Sequence, residues 1–290
     1  PSNFKQALIQ LFHSAFFVLS KITHRIPSIQ DETSIVFNLE SCIQFLDLLI
    51  KNDLGEIPDF TQPILGLDQS PISFFNFLLS HCSYTKPISL ILSICSELMS
   101  QDLKYVNCID IHQILTLVKA DENTIQSNAL NFFNVCTQII IESDMKGDQI
   151  QSLLQIFTEI DLLRFLVGIF ENNKLSFGAL PIFLDLLNNL FNISDMGQFI
   201  DCITETFLEY LCSSINSGLS IRSLEAILNI LSSLYNYYEN NQPERIAEFA
   251  AILSINLQEE TLDVFAESKS ISLSKRAQLF FDIIFTNIST

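Results

Sequence analysis

Histidine and cysteine are the side chains here best suited to metal or nucleophilic chemistry, and neither set is spaced for it. His13, His24, His81 and His112 form no HExxH pair, and no Cys/His pair stands at zinc-ligand spacing. His81 precedes Cys82, but adjacent residues of a helix point apart, so the two make no dyad. The seven cysteines, Cys42, Cys82, Cys95, Cys108, Cys136, Cys202 and Cys212, are odd in number and never spaced CxxC. Most fall in apolar helical patterns, which reads as reduced thiols filling the interior of a cytoplasmic or nuclear protein. GxSxG, GxxxxGK[ST] and GxGxxG are all absent. Ser272 to Lys275 fits SxxK without its companion motifs, and Asp144 and Asp148 flank Gly147 at the wrong spacing for a calcium loop. Sequons at Asn192 and Asn287 carry no weight without a secretory signal. The one catalytic reading left is a hydrolytic site dispersed over several helices, which predicts a closed pocket around a strongly perturbed titratable group. The expectation is a chain with no enzymatic activity, cofactor or metal.

Charge is the more distinctive feature. The formal net charge is −18, and residues 175–267 hold 13 acids against 2 bases. Phosphate backbones and anionic lipid surfaces need Lys and Arg clusters, so nucleic acid and membrane are excluded as partners and basic protein segments are favoured. Asp201, Glu205 and Glu209 stand at i, i+4 and i+8, as do Glu259, Asp263 and Glu267. On a helix each set would share one face, and like charges four apart cost roughly 0.2–0.5 kcal/mol per pair. Almost no base is interleaved. Two readings stand: acidic faces that meet a basic partner, or solvated faces that keep an apolar chain in solution. Tyr235, Tyr237 and Tyr238 cluster beside Asn236, either as an aromatic docking platform or packed against the following turn.

The elements that must position these residues are helices. Apolar residues make up 48% of the 290 and charged residues 17%, which suits a large core. The longest uncharged run, Asn123 to Ile141, holds too many amides to sit in hydrocarbon. Ser176 to Asn192, SFGALPIFLDLLNNLFN, shows the governing pattern. Leu180, Phe183, Leu184, Leu187, Leu190 and Phe191 make a helical stripe, and Ile182 and Leu186 widen it so that two sides need cover. Further helices are predicted over 3–25, 33–52, 72–83, 87–100, 110–119, 123–143, 148–157, 161–171, 195–212, 219–238, 243–267 and 273–288. Asp161 is expected to cap its helix, and 54–71, with three prolines and two glycines, is read as an irregular loop packed down by Phe60, Ile64, Leu65 and Leu67.

Apolar triplets at i, i+3 and i+6 recur in the second helix of each pair. They are Ile43/Leu46/Leu49, Leu92/Cys95/Leu98, Phe133/Cys136/Ile139, Leu184/Leu187/Leu190, Leu228/Leu231/Leu234 and Ala277/Phe280/Ile283. Successive starts differ by 49, 41, 51, 44 and 49 residues, at the upper edge of helical-solenoid periods. Position i+5 reads Leu48, Glu97, Gln138, Asn189, Ser233 and Asp282, mostly polar between apolar neighbours. Such a row either faces a binding groove or meets water as polar helix positions ordinarily do.

GALPIFLDLLNNLF and SLEAILNILSSLYN resemble the third helix of armadillo repeats or the second of HEAT repeats. That resemblance, of pattern over the whole chain, implies an all-α, right-handed α-α superhelix of about six helical-hairpin repeats, whose inner helices line a concave groove that binds a partner. Armadillo repeats that grip extended peptides carry an Asn ladder at i+5. Here only Asn189 matches, and there is no Trp. The function implied is a protein–protein interaction scaffold or adaptor. The alternatives are cargo binding of the nuclear transport receptor kind, or the regulatory armadillo-like region of a formin or phosphatase scaffold. Residues 1–290 are read as a single domain, and the opening Pro1 fits an excerpt of a longer protein. Leu279, Phe280, Phe281, Ile283, Ile284, Phe285 and Ile288 go nearly round the last helix, which predicts further chain or a partner over it.

Overall fold

Helix caps set the rhythm of this chain. Ser70 stands in extended backbone and its Oγ accepts from the Ser73 amide, with Pro71 at the first helical position. Asp110, Thr204 and Ser220 do the same for the amides of Gln113, Phe207 and Ser223. The computed structural model describes residues 2–23, 33–51, 59–64, 67–143, 147–172, 174–193, 200–257 and 259–287. All regular structure among them is helical. The helices are α1 (Ser2–Thr23), α2 (Thr33–Lys51), α3 (Pro71–His81), α4 (Thr85–Gln101), α5 (Ile111–Leu117), α6 (Asn123–Glu142) and α7 (Asp148–Glu159). They continue with α8 (Leu162–Glu171), α9 (Leu180–Ile193), α10 (Glu205–Ser214), α11 (Ile221–Asn241), α12 (Ile246–Asn256), α13 (Glu259–Ala266) and α14 (Ile271–Asn287). The chain divides into two compact units, residues 1–156 and 157–290.

In the first unit α2, α4 and α6 pack in series as a front layer, and α1, α3 and α5 pack behind them. Side chains tie each helix to the next. Lys86 pairs with Glu40 at 2.7 Å, and Asn128 donates to the Ser89 carbonyl and hydroxyl at 3.1 and 2.6 Å. Behind, Asn76 Nδ2 donates to the Cys108 carbonyl, and its Oδ1 accepts from the Asp110 amide. The irregular segment 59–64 is held down by rings: Phe60 is fully buried, 5.3 Å from Phe12 and 6.1 Å from Phe75. Residues 52–58 and 65–66 of the predicted loop lie outside the described residues.

In the second unit α9, α11 and α14 form the front layer and α8, α10 and α12 the back layer, with α13 against α14. Arg222 on α11 reaches Asp185 on α9 at 2.8 Å. Ser270 donates to Glu225, and Thr204 donates to Glu171.

The front layers carry the predicted triplets. Every member is buried except Ile139, which is half-buried, so the register read from spacing is the register of the core. Each fully buried Leu or Phe among them contributes about 1.5–3 kcal/mol.

Three predicted helices change shape. The one expected from Ser176 begins at Leu180, and 177–179 form a turn that lifts Phe177 into solvent. The one expected over 195–212 falls partly outside the described residues. Its remainder is a 3-10 turn, Ile200–Cys202, followed by a fresh start at the Thr204 cap. The one expected over 243–267 breaks at Leu257, which turns extended and buries its side chain. A 3-10 turn at Leu103–Asn107, unpredicted, is capped by Asp102 and buries Tyr105 and Val106. Asp161 makes no cap. It takes the left-handed conformation (φ 46°), and its carboxylate pairs with Arg164 at 3.3 Å. On α14, Phe280, Ile283 and Ile284 are buried within the unit, Phe281 is half-buried and Leu279 is exposed; the side chain of Phe285 and residues 288–290 lie outside the described residues.

Candidate functional site

The i+5 row stands on the front layers. In the first unit Glu97 on α4 and Gln138 on α6 are partly exposed, flanked by the buried triplets. Glu97 Oε1 accepts from Gln101 Nε2 at 3.3 Å, which holds its carboxylate along the helix. In the second unit Asn189 and Ser233 are partly exposed and Asp282 is exposed, on three helices packed in series. Asp282 Oδ1 accepts from Gln278 at 3.2 Å. Each unit thus presents acids and amides at one register. Leu48, the apolar member, is 54% exposed on α2.

The acidic stripes are only partly helical faces. Asp201 sits in the 3-10 turn, before the Thr204 cap, so it does not share a face with Glu205 and Glu209 on α10. All three are exposed. Likewise α13 holds Glu259 and Asp263 but ends at Ala266, which leaves Glu267 in the following turn. The reasons are the Thr204 cap, which starts the helical phase afresh after Asp201, and the end of α13 at Ala266, before Glu267.

The tyrosines divide. Tyr238 is 2% exposed; its ring lies edge-on to Phe249 at 5.6 Å, with the Arg245 guanidinium 5.1 Å over it. Burial pushes its hydroxyl pKa up. It is a core residue and no docking surface. Tyr235 and Tyr237 are partly exposed, and Tyr235 donates to Glu239 at 3.3 Å. The adjoining slot, lined by Tyr238, Arg245, Glu205 and Glu248, encloses about 10 Å³, room for one water.

Buried thiols offer no nucleophile. Burial pushes Cys95 and Cys212 up to about 12 and Cys136 up as well, so all three stay protonated at neutral pH. Among the described residues no group of three His, Cys, Asp or Glu side chains could hold a metal. No described helix is long and apolar enough to cross a membrane.

One site escaped the sequence reading. A cleft of about 300 Å³ in the second unit is lined by Phe170 of α8, Leu175 and Phe177 of the α8–α9 connection, Leu180 of α9, and Tyr210, Ser213 and Ser214 of α10. The available signal was Phe177, an aromatic residue falling outside the apolar stripe of α9.

No family model and no characterised protein matches the sequence. Solved structures do. A computationally designed armadillo repeat protein for modular peptide recognition aligns at TM-score 0.56 and 12% identity, over 91% of this chain and 99% of its own. An engineered protein aligns at TM-score 0.58 and 14% identity, over 92% and 98%. A designed armadillo repeat protein in complex with the peptide (KR)4 aligns at TM-score 0.51 and 13% identity, over 92% and 99%. At such identities the likeness is one of fold, and the fold is an armadillo-like all-α solenoid.

Proposed function

We propose that this chain is a non-catalytic protein-binding scaffold whose front layers each take a stretch of extended, basic polypeptide. The observation that carries the reading is the row itself. Glu97 and Gln138 in one unit, and Asn189, Ser233 and Asp282 in the other, reach solvent between positions that are buried. Amides and hydroxyls can bond a peptide backbone, and the carboxylates can pair with Lys or Arg. The net charge of −18 favours encounter with a cation. The designed protein in complex with (KR)4 shares the fold, which supports a basic peptide as partner. Glu205, Glu209 and Asp263, exposed at other places, extend the negative field. All seven cysteines are free, which suits a cytoplasmic or nuclear setting.

The test is fluorescence anisotropy with labelled Lys/Arg-alternating, Gly/Ser and Asp/Glu-alternating peptides of equal length. Binding should be confined to the basic peptide, weaken steeply with salt, and fall about tenfold in Glu97→Lys or Asp282→Lys. Equal binding of the three peptides, or binding indifferent to both reversals, overturns the reading.

A further inference from the structure

The cleft beneath Phe177 lies off the front-layer row, and nothing in the proposed peptide rows uses it. Its floor is Phe170, 8% exposed, stacked on Phe183 at 5.1 Å and met edge-on by Phe207 at 5.7 Å and Tyr210 at 6.2 Å. Three rings around the floor fix its position. The walls behave differently. Phe177 is 73% exposed and Tyr210 43%, so two aromatic side chains of the lining stand open to solvent over a well-built apolar base.

The polar groups of the lining are three hydroxyls, on Tyr210, Ser213 and Ser214, and none is charged. The Ser213 and Ser214 hydroxyls both donate to the Tyr210 carbonyl, at 3.0 and 2.7 Å, which leaves them to the cleft as acceptors only. Small-molecule sites normally combine apolar walls with a few convergent polar groups. An apolar anchor side chain carried on a polypeptide needs only the walls, because its flanking residues supply orientation.

Charge around the cleft says what flanks the anchor. Glu209 adjoins Tyr210, stands one turn before Ser213, which lines the cleft, and is exposed. Glu171 follows Phe170 and accepts from Thr204. Lys174, beside Leu175, is the one base adjacent in sequence to a lining residue. We infer that the cleft of Phe170, Phe177, Leu180 and Tyr210 is a second docking site, which seats one large apolar side chain of a partner segment whose neighbouring residues are Lys or Arg.

The experiment uses the full chain and a labelled 12-residue Gly/Ser peptide carrying one Phe followed by Lys-Arg. Its control is the same peptide with Ala for Phe, read by anisotropy. The Phe peptide should bind at least tenfold more tightly than the Ala peptide. Phe177→Ala, at an exposed position that leaves the core intact, should remove that tenfold preference, and Tyr210→Ala should reduce it. Glu209→Lys should weaken the Phe peptide several-fold and flatten its salt dependence. Equal affinity of the two peptides, no binding of either, or a Phe preference that survives Phe177→Ala overturns the inference. Binding lost only in Asp282→Lys would overturn it too, while leaving the front-layer rows standing.

Discussion

The two units build the same two-layer arrangement from different materials. Among the described residues, the buried polar side chains Ser20, Asp47, Ser96, Gln126, Asn134 and Thr137 lie in the first unit, and only Ser223 lies in the second. In the first, Gln126 Nε2 donates to the Val118 carbonyl at 2.9 Å inside the core, and Ser96 and Thr137 bond to their own helices. Rings serve both units, Phe12, Phe16, Phe60 and Phe75 in the first and Phe170, Phe183 and Phe207 with Tyr238 and Phe249 in the second, but among the described residues the second has almost no buried polar side chain beside them. Its polar ties sit at the rim, as with Arg222 and Asp185, whose side chains are 72% and 20% exposed. A buried amide fixes register because leaving it unbonded is costly, whereas a ring cluster fixes register by shape. One layered fold tolerates both solutions.

If shape holds the second unit, the largest effect follows from deleting a ring. Phe183→Ala, at a fully buried site, should cost about 3–5 kcal/mol, seen as a lower urea midpoint with faster amide exchange in residues 157–290. A loss under about 1 kcal/mol would erase the contrast. Next comes the first unit's internal amide. Gln126→Ala strands the Val118 carbonyl and should cost about 1–3 kcal/mol, with amide exchange quickened around α5 and the start of α6. An effect no larger than that of an exposed substitution would show that water replaces the bond. The smallest effect sharpens the comparison at the rim. Arg222→Ala should cost under about 1 kcal/mol, because the guanidinium is largely solvated. Burial already pushes Asp185 above the ordinary carboxylate range and Arg222 draws it back, so the same variant should raise the Asp185 pKa further in an NMR titration.

Legibility in the sequence followed the same physics. The front-layer triplets were readable because a helix repeats its buried face every three or four residues, and only Ile139 strays. Phase resets were not readable. Nothing in the composition around Thr204 separates a cap from a helical interior Thr, so Asp201 was placed on a face it does not share. Leu257 looks like any core Leu and leaves the helix to become one. The aromatic cleft was invisible for a related reason: Phe170, Phe177 and Tyr210 meet only after α8 and α10 pack, and no period links them.

The ties between neighbouring helices carry a kinetic consequence. Those between successive helices of one layer bridge partners between 32 and 51 residues apart in the chain, from Asn76 with Cys108 to Gln101 with Ile50. Closing a loop of that length costs little more entropy than closing one half as long, and no distant segment has to arrive first. Either unit can therefore grow by accretion, each hairpin templating its successor, with the brief search and quick acquisition of structure expected of low contact order.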